Sequence, residues 1–275
     1  LSAFLQARRE IRRIGPDVVL GMGGYVSFPG GMMAALAGRP LVIHEQNSIA
    51  GLANRVLAKV ARRIVCGFPE ALSQVVWVGN PVRADIAKLA PPAERFAERD
   101  GQIRLLVLGG SLGAAAINEI VPQGLSLIPE EERPFVVHQA GTKHLAQLQA
   151  NYAAAGVRAE CVDFIEDMAG AYAWADLVLC RAGALTVAEL AAAGVASILV
   201  PFPHAVDDHQ TANARFLTAA GGAILLPQNE MTPESVGLIR NYTRGQLLQM
   251  AERAHALAKP EAAAAVAQVC EELAQ

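Results

Sequence analysis

Aromatic side chains are scarce in this sequence: Phe, Tyr and Trp together make up 5% of its 275 residues. The core must therefore be filled by small and aliphatic side chains. Hydrophobic residues reach 53% and charged ones 18%. That balance excludes an intrinsically disordered chain and favours helices packed closely on sheets. Cysteine is also sparse, with four residues, Cys66, Cys161, Cys180 and Cys270. No CxxC pair and no Cys/His metal spacing occurs, so a disulfide scaffold and a zinc module are excluded, and a reduced, cytoplasmic interior is expected. A signal-peptide pattern is missing. The most apolar stretch, residues 182–203, is interrupted by Glu189 and by Gly and Pro residues, and reads as a helix followed by a buried strand, not as a membrane span. Asp207-Asp208 lacks the DxD spacing often used to hold a nucleotide through a metal; no metal site and no cofactor are expected.

The net charge of -3 hides an uneven distribution. Residues 1–90 carry 11 Lys/Arg against five acids, +6 in balance, and the remainder carries -9. The length suits one large domain or two ordinary ones. A basic first third on an acidic protein points to two units with different partners, and nucleic acid, an anionic membrane and a phosphorylated substrate all fit that charge alone.

Short apolar runs alternate with helical patterns. "DVVLGMGG" (17–24), "PLVIHEQ" (40–46), "RRIVCGF" (62–68) and "VVWVGNP" (75–81) read as strands. A second series begins at "IRLLVLGGSLGAAAINEIV" (103–121) and continues through "PFVVHQ", "RAECVDF", "ADLVLC", "ASILVPF" and "AILLP". Strands apolar on both faces, separated by helices, imply an α/β fold with parallel sheets. The expected organisation is a first domain over 1–90, a charged, Pro-containing linker over 91–102, a second Rossmann-like domain over 103–258, and a C-terminal helix over 259–275 packing back toward the first.

In open parallel sheets ligands bind outside the carboxyl ends of the strands, and here those loops hold most of the polar residues and Gly. "LGGSLGAAAIN" (108–118) is a strand, a Gly-rich turn and a helix. It either cradles a phosphate on backbone N–H groups or is a tight turn capped by Ser111. A dinucleotide site would place an acid after the next strand, and "PFVVHQ" offers His138 and Gln139 instead. "RAGALTVAEL" (181–190) repeats the strand–Gly–helix pattern. Thr186-x-x-Glu189 fits a capping box, yet a helix starting near Ala184 would put Glu189 inside it, where its carboxylate suits the two hydroxyls of a ribose. "PFPHAVDDHQTANA" (201–214) holds more hydrogen-bonding side chains than a turn needs and suits a hexose, with a Pro-bounded loop as the plain alternative. "HEQNSIAGLANR" (44–55), "GMGGYVSFPGG" (21–31) and "GNPVR" (79–83) complete the set.

In this order, "GMGGYVS", "HEQN…AGLAN", "GNPVR", "GGSLGA…N", "FIEDM", "CRAGALTVAE" and "PFPHAVDDHQTANA" resemble the family of N-acetylglucosaminyltransferases of peptidoglycan synthesis, over nearly the whole chain. The resemblance implies a GT-B fold of two Rossmann-like domains. It implies inverting transfer of GlcNAc from UDP-GlcNAc to the MurNAc 4-hydroxyl of undecaprenyl-pyrophosphoryl-MurNAc-pentapeptide (lipid I), giving lipid II. Carried over motif by motif, Ile165 would receive the uracil through its backbone and Glu189 would hold the ribose. Ser111 and the Ala184, Leu185 and Thr186 turn would meet the diphosphate, with Arg83 nearby. Gln210, Asn213 and Asn47 would contact the sugar, and Tyr25, Asn54, Asn118 and Arg181 would line the cleft. The family's opening GGTGGH loop, with its candidate general base, has no counterpart here, which leaves His44 and Glu45 as substitute bases. By the length of a βαβ unit, roughly 60–90 residues are expected to precede Leu1 in the family, and this chain is expected to bind UDP-GlcNAc but to turn over poorly. Arg8, Arg9, Arg12 and Arg13 fall on one helix and either face an anionic membrane, at the cytoplasmic side as a peripheral protein, or form a solvated basic face. No nucleic-acid partner is expected. Two other readings fit the same motifs less closely: another GT-B enzyme such as a UDP-GlcNAc 2-epimerase, and a non-catalytic nucleotide-sugar binding module.

Overall fold

A computed structural model describes residues 2–69, 71–110 and 114–274. The chain divides into two compact units, residues 1–82 with 259–275, and residues 83–258.

The first unit opens with α1 (Ser2–Ile14), followed by β1 (Val19–Gly21), α2 (Gly24–Leu36), β2 (Leu41–Glu45), α3 (Leu52–Leu57), β3 (Arg63–Cys66) and β4 (Val76–Trp77). The four strands are all parallel, in the order β1-β2-β3-β4. The first apolar run is shorter as a strand than the sequence pattern implied. Gly23 and Gly24 take φ of 77° and 72°, and this left-handed pair turns the chain straight into α2. Strand alternation divides the core in two. Leu41 and Ile43 pack with Leu57, Phe28 and Met32 on one face, and Val42 packs with Val65 and Val78 on the other.

The second unit holds α4 (Ala84–Ala87), α5 (Pro92–Phe96), β5 (Arg104–Leu108), α6 (Ala115–Ser126), β6 (Phe135–Gln139), α7 (Leu145–Ala155), β7 (Glu160–Val162) and α8 (Met168–Trp174). It continues through β8 (Leu177–Cys180), α9 (Ala184–Ala193), β9 (Ala196–Leu199), α10 (His209–Thr218), β10 (Ala223–Leu225), α11 (Pro233–Gly237) and α12 (Arg244–His255). Six parallel strands run in the order β10-β9-β8-β5-β6-β7. The strand order reverses at β5/β8, which places the loops after those strands at the switch point of the sheet. Leu105, Leu106, Leu177, Val178 and Leu179 are fully buried, as strands covered on both faces require.

Residues 91–102, expected as a linker, belong to the second unit. Arg95 donates to the carbonyls of Tyr172, Ala193 and Gly194, and Arg99 to those of Ala173 and Ala175 and to the buried carboxylate of Asp176. The charges that made the segment look solvated are thus used on helix-end carbonyls. The chain then returns to the first unit with α13 (Ala262–Ala274), whose Val266 and Val269 join the cluster around Val42. Among the described residues no helix is long and apolar enough to cross a membrane.

Candidate functional site

In the second unit, α9 begins at Ala184 with Gly183 as N-cap. Gly183 has no side chain to accept from the first turn, so the N–H groups of Ala184, Leu185 and Thr186 end the helix without a side-chain cap. The capping-box alternative is excluded by this register: Thr186 lies inside the first turn, and Glu189 lies in the second. Leu185 is exposed and Thr186 half-buried at the same helix end.

Glu189 is held from two sides. Tyr172 of α8 donates its hydroxyl to Oε2 at 3.1 Å, and Arg83, the N-cap of α4, lies 3.4 Å from Oε1 through Nη2. The Glu189 side chain keeps 19% of its exposure. An ionised carboxylate accepts about four hydrogen bonds, so two protein donors leave capacity for two ligand hydroxyls. Burial and the Glu189 charge together push the Tyr172 phenol well above its ordinary range, and burial, then Glu189, raises the Cys180 thiol to about 12. Both stay protonated beside the carboxylate.

The loops after β8 and β9 are tied together by amides. Gln210 accepts at Oε1 from the N–H of Ala182 (3.3 Å) and Phe202 (2.9 Å), which leaves its NH2 pointing away from these contacts. Asn213 is fully buried and donates to the Ala182 carbonyl at 3.3 Å. Arg181 donates to the carbonyls of Val200 and Pro201, each at 3.2 Å, and to Gln228 Oε1 at 2.6 Å, and its guanidinium lies 5.5 Å from the Phe202 ring centre. Burial lowers its pKa.

The Gly-rich turn after β5 is described up to Gly110; Ser111 lies outside the described residues. Gly109 permits a close approach, since a Cβ there would sit 3.0 Å from the Gln139 carbonyl. Gln139 spans the loops after β5 and β7, donating at 3.4 Å to the carbonyls of Gly110 and Asp163. Ile165 is half-buried in the loop leading to α8, which Asp167 caps by accepting from Gly170 N at 2.8 Å. Asn118 was expected to line a cleft, but it is buried in α6. It donates to Ala140 O at 3.2 Å, and its Oδ1 meets His138 Nε2 at 3.1 Å. His138 Nδ1 in turn meets the Tyr152 hydroxyl at 2.9 Å. With Asn118 Nδ2 committed, Oδ1 must accept, so His138 carries its proton on Nε2 and Tyr152 donates to Nδ1.

In the first unit the carboxyl end of β2 carries a closed polar network. His44 is buried; its Nε2 donates to Gly79 O at 2.9 Å, and its Nδ1 accepts from Gln46 Nε2 at 3.0 Å. Burial lowers its pKa, so it stands neutral. Glu45 Oε1 accepts from Asn47 N at 2.9 Å and from Asn47 Nδ2 at 3.5 Å. Its Oε2 accepts from Gly51 N at 3.2 Å and Asn54 Nδ2 at 2.8 Å. Asn54, expected to line a cleft, is buried and also donates to His44 O. Tyr25, by contrast, is 87% exposed at the first turn of α2.

The structure thus brings Arg83 and Glu189 together, groups Arg181, Gln210 and Asn213 around the β8 and β9 loops, and joins His44, Glu45, Asn47 and Asn54. Sequence reasoning missed Tyr172, Gln139 and Gln46 as partners of these groups. "AYAW" reads as an apolar helix, and no spacing rule points a tyrosine in it toward a glutamate on the next helix.

Comparison with known proteins agrees with this architecture. The glycosyltransferase family 28 C-terminal domain matches residues 104–269, and the family's N-terminal domain matches residues 1–66. The chain is 68% identical, over all 275 residues and 78% of the relative's length, to the UDP-N-acetylglucosamine--N-acetylmuramyl-(pentapeptide) pyrophosphoryl-undecaprenol N-acetylglucosamine transferase of Dechloromonas aromatica. The crystal structure of Acinetobacter baumannii MurG superposes with a TM-score of 0.88 at 40% identity, covering 99% of this chain and 78% of that one. A UDP-GlcNAc 2-epimerase from Neisseria meningitidis, bound to UDP-GlcNAc, gives 0.65 at 13% identity, over 98% and 80% of the two chains, and shares the fold alone. The two parallel α/β sheets are those of the GT-B class, and the chain belongs to glycosyltransferase family 28, in the MurG group of hexosyltransferases.

Proposed function

We infer that this chain transfers GlcNAc from UDP-GlcNAc to the MurNAc 4-hydroxyl of lipid I, forming lipid II. The observation that carries the reading is the Glu189 carboxylate, partly exposed and doubly braced, one turn from the uncapped start of α9. It supports a nucleoside diphosphate whose ribose hydroxyls donate to Glu189 and whose phosphates accept from the helix-end N–H groups, with Arg83 as counter-charge. Ile165 takes the uracil through its backbone, and the NH2 of Gln210 donates to a sugar hydroxyl. Asn213, Asn118 and Asn54 are buried and act by holding loops. We assign the Gly109–Gly110 turn to the diphosphate side of the donor.

In the reaction the MurNAc O4 attacks the anomeric carbon in line. The bond from that carbon to the β-phosphate oxygen breaks, UDP leaves with the electron pair, and the hydroxyl proton passes to a general base. Both ring nitrogens of His44 and both carboxylate oxygens of Glu45 are engaged within the protein, so neither is assigned as that base. These two residues shape the loop that carries Asn47.

The α1 helix supports a peripheral seat on the cytoplasmic side of the membrane. It buries none of its residues and carries Arg8, Arg9, Arg12 and Arg13, with Leu5 and Ile14 exposed on it.

Calorimetry with UDP-GlcNAc and incubation with labelled UDP-GlcNAc plus a lipid I analogue test the reading. Binding, and label entering the lipid-linked disaccharide at a low rate, are expected. Formation of UDP-ManNAc without disaccharide would assign epimerase chemistry, and no binding at all would remove the donor site.

A further inference from the structure

We propose that Tyr172 is a positioning residue for nucleotide recognition, acting by orienting the Glu189 carboxylate toward the ribose. The proposal rests on the reading of Glu189 as the ribose anchor and adds the group that aims it.

Tyr172 is 1% exposed and among the largest fully buried side chains. Its single polar side-chain atom is spent on Glu189, at 3.1 Å. A buried hydroxyl needs a partner, but any nearby carbonyl would serve; here the partner is a half-buried carboxylate on a different helix. Bonded on Oε2, that carboxylate loses its free rotation about the last side-chain torsion. The opposite oxygen faces Arg83 at 3.4 Å, so the carboxylate plane is fixed by one donor from each side.

The second observation is where Tyr172 stands in the chain. It lies on α8, whose Asp167-capped start follows directly on the Ile165 loop. Its backbone carbonyl accepts from Arg95 Nη1 at 3.2 Å, and the same guanidinium binds the carbonyls of Ala193 and Gly194 at the far end of α9. The short helix carrying the base-recognition loop and the helix carrying the ribose anchor are therefore locked by Arg95 at one end and by Tyr172 in the middle. A nucleoside spans a fixed distance between base and ribose, so a fixed spacing between those two helices prepays part of the ordering needed to bind it. Burial, reinforced by the adjacent carboxylate, keeps the phenol protonated, so it remains a donor across the physiological range.

Tyr172→Phe removes the donor and keeps the ring. Binding of UDP and of 2′,3′-dideoxy-UDP is measured by calorimetry for the parent chain, Tyr172→Phe and Glu189→Ala, with thermal unfolding as a check of fold. The parent should prefer UDP. Tyr172→Phe should lose about tenfold in UDP affinity, the scale of one hydrogen bond to a charged group, while its affinity for the dideoxy ligand is unchanged. A merely structural tyrosine would weaken both ligands equally, or neither, and either result overturns the proposal. If Glu189→Ala loses the preference for UDP and Tyr172→Phe keeps it in full, positioning fails while the ribose reading stands. If Glu189→Ala keeps the preference, the ribose reading itself fails. Should Tyr172→Phe not fold, Tyr172→Met fills the site without a hydroxyl and is read the same way.

Discussion

His138 shows how a residue that looks like chemistry in a sequence becomes structure in the fold. It sits at the carboxyl end of a parallel strand, where a nucleotide site would place a functional side chain, yet it is fully buried and bonded at both ring nitrogens. Burial drops its pKa from the ordinary 6.5 to about 3. The folded state thus binds fewer protons than the unfolded chain between those values. The stability His138 confers is complete above pH 6.5 and is lost progressively as pH falls toward 3. Urea midpoints measured from pH 8 to pH 5 should fall for the parent chain. His138→Gln should be less stable at pH 8, since it leaves the Tyr152 hydroxyl or Asn118 short of a partner, and its decline with acid should be shallower. Parallel declines would show that His138 is not the acid-sensitive group. At this scale the sequence was read well where a position follows from helix register, as the placing of Glu189 inside α9 does, and poorly where a side chain's surroundings depend on depth. Asn54, Asn118 and Asn213 have the chemistry of sugar ligands, but all three are buried, with their amides committed to main-chain carbonyls. Polarity is written in the sequence; whether a polar group ends in a cleft or under a loop is settled by packing between elements far apart in the chain.

Among the elements, α9 carries the most of the proposed site, and both its ends are set by glycine for different reasons. Gly183 stands at the start in ordinary extended geometry and matters for the side chain it lacks. Gly194 stands at the end with φ of 58°, a left-handed cap. A Cβ on Gly194 would lie 2.6 Å from Pro92 Cγ and 2.9 Å from His255 Cβ. Gly194→Ala should therefore cost about 2–3 kcal/mol, combining the left-handed penalty with overpacking against α5 and α12. Chemical denaturation checks it: a loss under about 0.5 kcal/mol, the scatter of neutral surface changes, would mean that α5 yields without cost. Strand and helix alternation was legible because each element repeats its own period, and the Gly-rich turns punctuate it. The segment 91–102 was not, because Pro and charge are also the signature of a linker. Only the carbonyls that Arg95 and Arg99 reach, contributed by residues 172–194, turn that segment into part of a folded unit.

For the whole molecule, the division of charge is the feature that outlasts any single site. The first third carries +6 and the remainder -9 on a chain of net charge -3, so the first third is the part drawn to an anionic surface. Anionic lipid attracts each nearby Lys or Arg by about 1 kcal/mol, falling off within a Debye length of roughly 8 Å at physiological salt. On α1, Glu10 pairs with Arg13 at 2.6 Å and reaches Arg9 at 3.5 Å, which leaves Arg8 and Arg12 as the cations without a carboxylate partner on that helix. A membrane contact built on α1 should then depend on those two above the others. Sedimentation with vesicles containing phosphatidylglycerol should pull the chain down at low salt, release it at several tenths molar salt, and fail with pure phosphatidylcholine. Arg8→Gln with Arg12→Gln should weaken vesicle binding about tenfold or more, from two lost contacts of that size, while calorimetry with UDP-GlcNAc stays at the parent value. Vesicle binding unchanged by the double substitution would place the membrane contact elsewhere and leave α1 as a solvated basic helix. A loss of UDP-GlcNAc affinity in the same variant would show that the two substitutions disturb the fold or donor binding, contrary to a role for Arg8 and Arg12 confined to the membrane.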